Sequence, residues 1–206
     1  MNNPWKEIAL SDYENHMSLE DVQQLQELNR IMKEQFKLYP IISVMVLGVA
    51  GGNGLEHIDL KKYKRVVGVD INQQYLEEAK KRYMYLGDAL ELICLDLINE
   101  ADKLPPIDML ISNLLIEYIG YEAFQRVVKK TNPQFISCVI QINESEEFVS
   151  NSPYLHAFDR LEEVHCQMES EVLMHTLDDV GYKCILSIDY PLPNGKKLVR
   201  LDFKYQ

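Results

Sequence analysis

Two aspartates and a glycine-rich turn are the residues of this chain whose types and spacing could hold a ligand. Val44-Met45-Val46-Leu47-Gly48-Val49-Ala50-Gly51-Gly52-Asn53-Gly54 runs from an apolar stretch into a turn where the absence of Cβ atoms lets backbone approach a bound molecule closely. Val66-Val67-Gly68-Val69-Asp70 ends a second apolar stretch in a carboxylate, placed to accept both hydroxyls of a ribose. Leu92-Ile93-Cys94-Leu95-Asp96-Leu97 ends a third in the same way. Open α/β sheets bind ligands at the C-terminal ends of their strands, so the turn and both acids point at one crevice. Either acid alone also suits a helix cap or a solvated loop; both together, in register with the glycine turn, favour the ligand. For proton transfer the candidates are Glu117, Tyr118, His156 and His165. Each has a plainer alternative, Tyr118 as a core or rim aromatic and the others at the surface, and the sequence singles out no one base.

The elements that must position these residues follow from hydrophobic periodicity. Ser18-Leu19-Glu20-Asp21 resembles a capping box, and Val22, Leu25, Leu28, Ile31, Met32 and Phe36 recur at helical spacing, predicting a helix over 19–38 ended by Pro40. The near-continuous apolar run 41–47 suits a strand buried on both faces. Strands are expected at 65–69, 91–95, 107–112 and 134–142, alternating with helices at 54–63, 72–86 and 114–130. A last helix over 169–180 is followed by strands at 183–189 and 197–205, joined through Asn194-Gly195, a hairpin-turn signal. The expectation is an α/β fold: a three-layer, Rossmann-like, doubly wound sheet of seven strands, mostly parallel, with a C-terminal antiparallel hairpin. Organised as one domain over 1–206, it divides into an N-terminal cap and helix (1–40), a core (41–142), a segment 143–168 and the last helix and hairpin (169–206).

With 32 acidic residues against 21 basic, the net charge is −11, which argues against nucleic acid or an anionic membrane as partner. The N-terminus lacks the apolar stretch of a signal peptide and no segment approaches bilayer-spanning length, so a cytoplasmic protein is expected. Cys94, Cys138, Cys166 and Cys184 are scattered, with no metal or redox spacing, and no metal site is expected. Cys94 and Cys138 lie in apolar runs and are expected to behave as small hydrophobes.

The sequence from Ile41 to Gln206 resembles the class I S-adenosylmethionine-dependent methyltransferases, small-molecule type, and the opening 4–17 resembles their N-terminal cap. The resemblance implies S-adenosylmethionine as cofactor. In that family the first turn reads acid-x-Gly-x-Gly-x-Gly and holds the methionine half. Here Val46 stands at the acid, Gly48 at the first glycine, Ala50 at the second and Gly52 at the third, so two positions depart. The resemblance further implies that Asp70 binds the ribose and Ile71 packs on the adenine. It places Asp96 on the adenine amino group with Leu97 beside it, and Asn113 where the fourth strand opens toward the reacting methyl group. Segments 1–17 and 143–168, with Trp5, Tyr13, His16, Phe148, Tyr154, His156 and Phe158, are expected to close over the substrate.

Rival readings remain. The G-x-G-x-x-G fingerprint of nicotinamide oxidoreductases fits from neither Gly48 nor Gly52. The acidic catalytic motif of aminopropyltransferases is not apparent. A non-catalytic fold relative acting as a binding or regulatory protein stays open, chiefly through Val46. The stretch Asn113-Leu114-Leu115-Ile116 lacks the prolines of enzymes that methylate base nitrogens, and no Pro-Cys pair is present. By elimination a small-molecule acceptor is favoured, with a protein side chain open.

Overall fold

The apolar run before the glycine turn forms β1 (Ser43–Leu47), the middle of a seven-stranded sheet. The computed structural model describes residues 3–143, 149–150 and 152–206; Phe148 lies outside them. The other strands are β2 (Arg65–Asp70), β3 (Leu90–Cys94), β4 (Met109–Asn113), β5 (Phe135–Ile142), β6 (Tyr182–Pro191) and β7 (Lys197–Tyr205). Their order is β3-β2-β1-β4-β5-β7-β6. The first five pair in parallel, and β7 inserts antiparallel between β5 and β6. This is the doubly wound sheet with a terminal hairpin that the pattern predicts. The order reverses between β1 and β4, which opens a crevice at their C-terminal ends.

The helices are α1 (Leu10–Ser18), α2 (Gln24–Leu38), α3 (Gln73–Arg82), α4 (Ile116–Thr131) and α5 (Ser170–Asp178). Period-two alternation divides β1 between two cores. Val44 and Val46 pack with Met32 and Phe36 of α2 and Leu76 of α3. Met45 and Leu47 face the opposite layer, with Phe124 and Val127 of α4 and Leu173 and Leu177 of α5. Among the described residues no helix is long and apolar enough to cross a membrane.

Four local expectations are corrected. Ser18 does not cap the long helix; it ends α1, its hydroxyl donating to Asn15 O at 3.1 Å. The long helix starts instead at Gln24, after Gln23 turns through φ 51°. The expected helix over 54–63 is a single 3-10 turn, Leu55–His57. It stops there because Asp59 O takes the amides of Lys62 and Tyr63, and the Tyr63 hydroxyl is drawn to Phe36 O at 2.7 Å. The helix expected over 72–86 ends at Arg82 and passes into a 3-10 segment, Met84–Ala89, with Gly87 at φ 53°. Cys138 is buried in β5, but Cys94 is exposed, because β3 is an edge strand covered less completely than its neighbours.

Beneath α2 lies a buried polar network with no counterpart in the sequence reading. Arg200 and Asp202, two apart on β7 and so on one face, form a two-pronged ion pair (2.9 and 2.6 Å) at 1% and 0% exposure. Asp202 also accepts from Tyr39 Oη at 2.8 Å and from Ser137 Oγ at 2.5 Å. Ser137 accepts from Gln35 Nε2 at 2.8 Å, and Gln35 pairs its amide with that of Asn113 through two 3.0 Å bonds. The chain of bonds joins the C-terminal hairpin to the tip of β4.

Candidate functional site

The turn after β1 owes its shape to three left-handed residues, Gly48 (φ 65°), Ala50 (φ 46°) and Gly52 (φ 90°). Alanine therefore adopts the conformation that glycine would take, at a cost of roughly 1–2 kcal/mol for a non-glycine residue. Asp70, at the tip of β2, fixes the turn from below. Its Oδ2 accepts from Ala50 N at 2.9 Å and its Oδ1 from Asn72 N at 2.9 Å. Burial pushes the Asp70 carboxyl above the ordinary range, opposed by the amides of Asn72, Ala50 and Ile71. Each oxygen keeps a lone pair for a further donor.

Gly48, Ala50, Asp70, Ile71, Asp96, Leu97 and Asn113 line one cleft at the strand tips, roofed by Trp5 and Tyr13. Asp96 is braced there by Ile98 N at 2.9 Å on one oxygen and Asn99 Nδ2 at 2.8 Å on the other. Gly52 is not part of this wall; it faces Tyr83, the residue that follows α3, and a Cβ on it would come 2.5 Å from that ring. Asn113 contributes to the wall, but both atoms of its amide are held by Gln35.

A second cavity adjoins the first, and Trp5, Tyr13, Leu114 and Tyr118 line both. Leu114 holds φ 53°, a strained value for a leucine, at the point where the two meet. The first turn of α4 carries Glu117 and Tyr118, and Gly120 (φ 77°, ψ 163°) then breaks that helix. Glu117 is 4% exposed, lines the second cavity, and its Oε2 has no hydrogen-bond partner among the described residues. His16, Gln24, Gln141 and His165 line it too. Gln24 donates to Gln141, and His16 Nδ1 lies 2.8 Å from Ser152 Oγ. Burial, with the Lys196 charge adding, keeps His16 and His165 below the usual imidazole range. His156 is elsewhere: its side chain is 94% exposed and lies 3.4 Å from Asp159. Gln24, Gln141 and Leu114 were missed by sequence reasoning, since nothing in their spacing marks them as cavity residues.

Burial pushes the Glu117 carboxyl from 4.5 up to about 8, opposed by its own amide. The groups that face it are Tyr13, Tyr118, Tyr121 and Cys138, together with the two imidazoles. A folded-state value above the unfolded one means stability fully present below about 4.5 and lost as pH rises toward 8. Thermal unfolding of the wild type and of Glu117→Gln should diverge across that window at up to ~1.4 kcal/mol per pH unit, the variant being the more stable at the alkaline end. Parallel curves would mean that Glu117 ionises in the folded protein as it does in the unfolded chain.

The two covering segments meet above the cavities. Ile8, Phe158 and Leu161 form an apolar cluster flanked by Trp5, Tyr13, Tyr118 and Tyr154. Asn72 Nδ2 ties Trp5 O at 2.9 Å, Tyr75 Oη ties Ile8 O at 2.9 Å, and Cys166 N donates to Glu117 O at 2.7 Å. Glu14 of α1 clasps Arg82 of α3 across Gly51 (2.5 and 2.9 Å), so a Cβ on that glycine would lie 2.6 Å from Glu14 Oε1.

Comparison with known structures places this architecture. An N-methyltransferase, NodS, from Bradyrhizobium japonicum WM9 in complex with S-adenosyl-L-homocysteine superposes with TM-score 0.69 at 11% identity, over 99% of each chain. Magnesium protoporphyrin IX methyltransferase (ChlM) from Synechocystis PCC 6803 with bound SAM gives 0.63 at 13% identity, over 98% of this chain and 90% of that one. The fold is that of the class I S-adenosylmethionine-dependent methyltransferases. The [4+2]-cyclase SpnF shares it, with TM-score 0.66 at 12% identity over 89% of this chain and 82% of that one. No family model matches the sequence, and none of the curated proteins does.

Against the methyltransferase pattern the telling departure is Val46. It is 4% exposed and packed in the core beneath α2 with Met32 and Phe36. A carboxylate there would meet an apolar wall, so Val46→Glu is expected to destabilise the protein by roughly 2–4 kcal/mol, as for a carboxyl forced neutral by burial. Chemical denaturation checks this; a variant as stable as wild type that binds S-adenosylmethionine more tightly would show that the site accepts the acid.

Proposed function

We propose that this chain is an S-adenosylmethionine-dependent methyltransferase acting on a small molecule. One observation carries the reading: the glycine turn, Asp70 and Asp96 line a single cleft at the sheet's topological switch point, and that cleft adjoins a covered second cavity. The residues suit the cofactor. Asp70 retains acceptor capacity for two ribose hydroxyls, Ile71 and Leu97 offer apolar flanks to a base, and Asp96 offers an acceptor to an exocyclic amine. Gly48, with no Cβ, brings bare backbone to the methionine end, and Ala50 adds only a methyl group.

The sulfonium supplies a methyl group already activated for displacement, so the protein's work is to align the acceptor and take its proton where it carries one. Leu114 and Tyr118, common to both cavities, set where acceptor and methyl meet. Trp5 and Tyr13 exclude water from that point. Incubation with S-adenosylmethionine and a small-molecule library, read as release of S-adenosylhomocysteine, tests the reading. Acceptor-dependent release is expected. Cofactor binding without release, across small molecules and peptides alike, would favour a second reading: a fold relative that binds the nucleoside for another purpose. The [4+2]-cyclase with this fold is the observation behind that alternative.

A further inference from the structure

The second cavity has a composition that the methyltransferase reading alone does not call for. Its described walls hold one carboxyl, Glu117, and no lysine or arginine. Four aromatic side chains, Trp5, Tyr13, Tyr118 and Phe158, line it. Trp5 stands edge-on to Tyr118 (centroids 4.9 Å apart, 80° between planes) and to Tyr13 (5.7 Å, 81°). Aromatic faces attract cations, most strongly where water is excluded. The two imidazoles are held neutral, and Lys196, whose charge they sense, is not part of the lining. A carboxylate ligand would find no cation here, and one with no hydrogen-bond donor would leave Glu117 Oε2 buried without a partner; a cationic donor supplies both the bond and the countercharge.

Resting on the proposed function, we infer that the second cavity takes an organic amine, bound as its ammonium ion against Glu117 between the aromatic walls, and that nitrogen is the atom methylated. An ammonium has no lone pair to attack with, so it must first lose a proton. The N–H proton passes to Glu117 Oε2, leaving a neutral amine and a carboxylic acid. The nitrogen lone pair then forms the N–C bond as the C–S bond of the sulfonium breaks, with the bonding pair remaining on sulfur and the positive charge moving to nitrogen. The raised affinity of Glu117 for a proton narrows the gap to an alkylammonium, which makes it an effective acceptor.

The test is calorimetric titration of the full chain, saturated with S-adenosylhomocysteine, with primary and secondary amines each paired with its isosteric alcohol and carboxylate. At least one amine should bind tenfold or more tighter than its partners. At pH 7, buffers of differing ionisation enthalpy should reveal release of about one proton per amine bound, as Glu117 ionises to meet the cation. Glu117→Gln should keep S-adenosylhomocysteine binding and lose both the preference and the proton release. No amine preferred over its alcohol, or an unchanged preference in the variant, overturns the inference while leaving the cofactor reading intact. Failure to bind S-adenosylhomocysteine at all counts against that reading and this one together.

Discussion

Asp70→Ala is expected to weaken S-adenosylmethionine binding by a factor of roughly 10² to 10⁴. Two hydroxyls donating to an ionised carboxylate are worth about 1.5–3 kcal/mol each, and every 1.4 kcal/mol is tenfold in affinity. The substitution also strips the acceptors from Ala50 N and Asn72 N, so the glycine turn loses the contact that sets its height above the sheet. Asp70→Asn should be little better. The carboxylate accepts an amide on each side, and an asparagine must turn its own NH2 toward one of them. Calorimetric titration beside circular dichroism separates the two effects. A folded Asp70→Ala protein with wild-type affinity would place the ribose elsewhere.

Asp202→Ala is the second large effect, and it falls on stability. Arg200 would keep its charge at 1% exposure, facing the Glu34 carboxylate at 3.3 Å and the Tyr190 hydroxyl. Removing one partner of a buried ion pair costs about 3–5 kcal/mol. The loss should reach the site, because Asp202 anchors Ser137, and Ser137 anchors the Gln35–Asn113 amide pair at the tip of β4. Equilibrium unfolding in urea measures the cost. A loss below 1 kcal/mol would mean that water reaches Arg200 in the variant.

How far the sequence reveals this architecture depends on how local each cause is. β1 and β2 are legible because strands buried on both faces must be apolar throughout, and Asp70 and Asp96 because each interrupts a run of apolar residues. The C-terminal hairpin is legible from Asn194-Gly195, whose glycine turns at φ 79°. α1 was hidden: its buried face is His16 and Met17 against aromatics far along the chain, and Ser18 imitates a helix start where one ends. The Arg200–Asp202 pair reads as ordinary charge alternation until α2 is laid over it. Glu117 was one candidate among four because burial, not residue type, distinguishes it. It sits on a helix start that would normally face solvent, and the covering segments around Trp5 and Phe158 remove it from water. His156, equal to it on paper, stays in solvent.

Every role proposed for these residues depends on whether the cleft at the strand tips holds the nucleoside. Isothermal titration of the wild-type chain with S-adenosylmethionine measures that directly. A single saturable site with affinity in the micromolar range or tighter is expected, competed by S-adenosylhomocysteine. No heat of binding up to millimolar cofactor, from a protein shown to be folded, would contradict it.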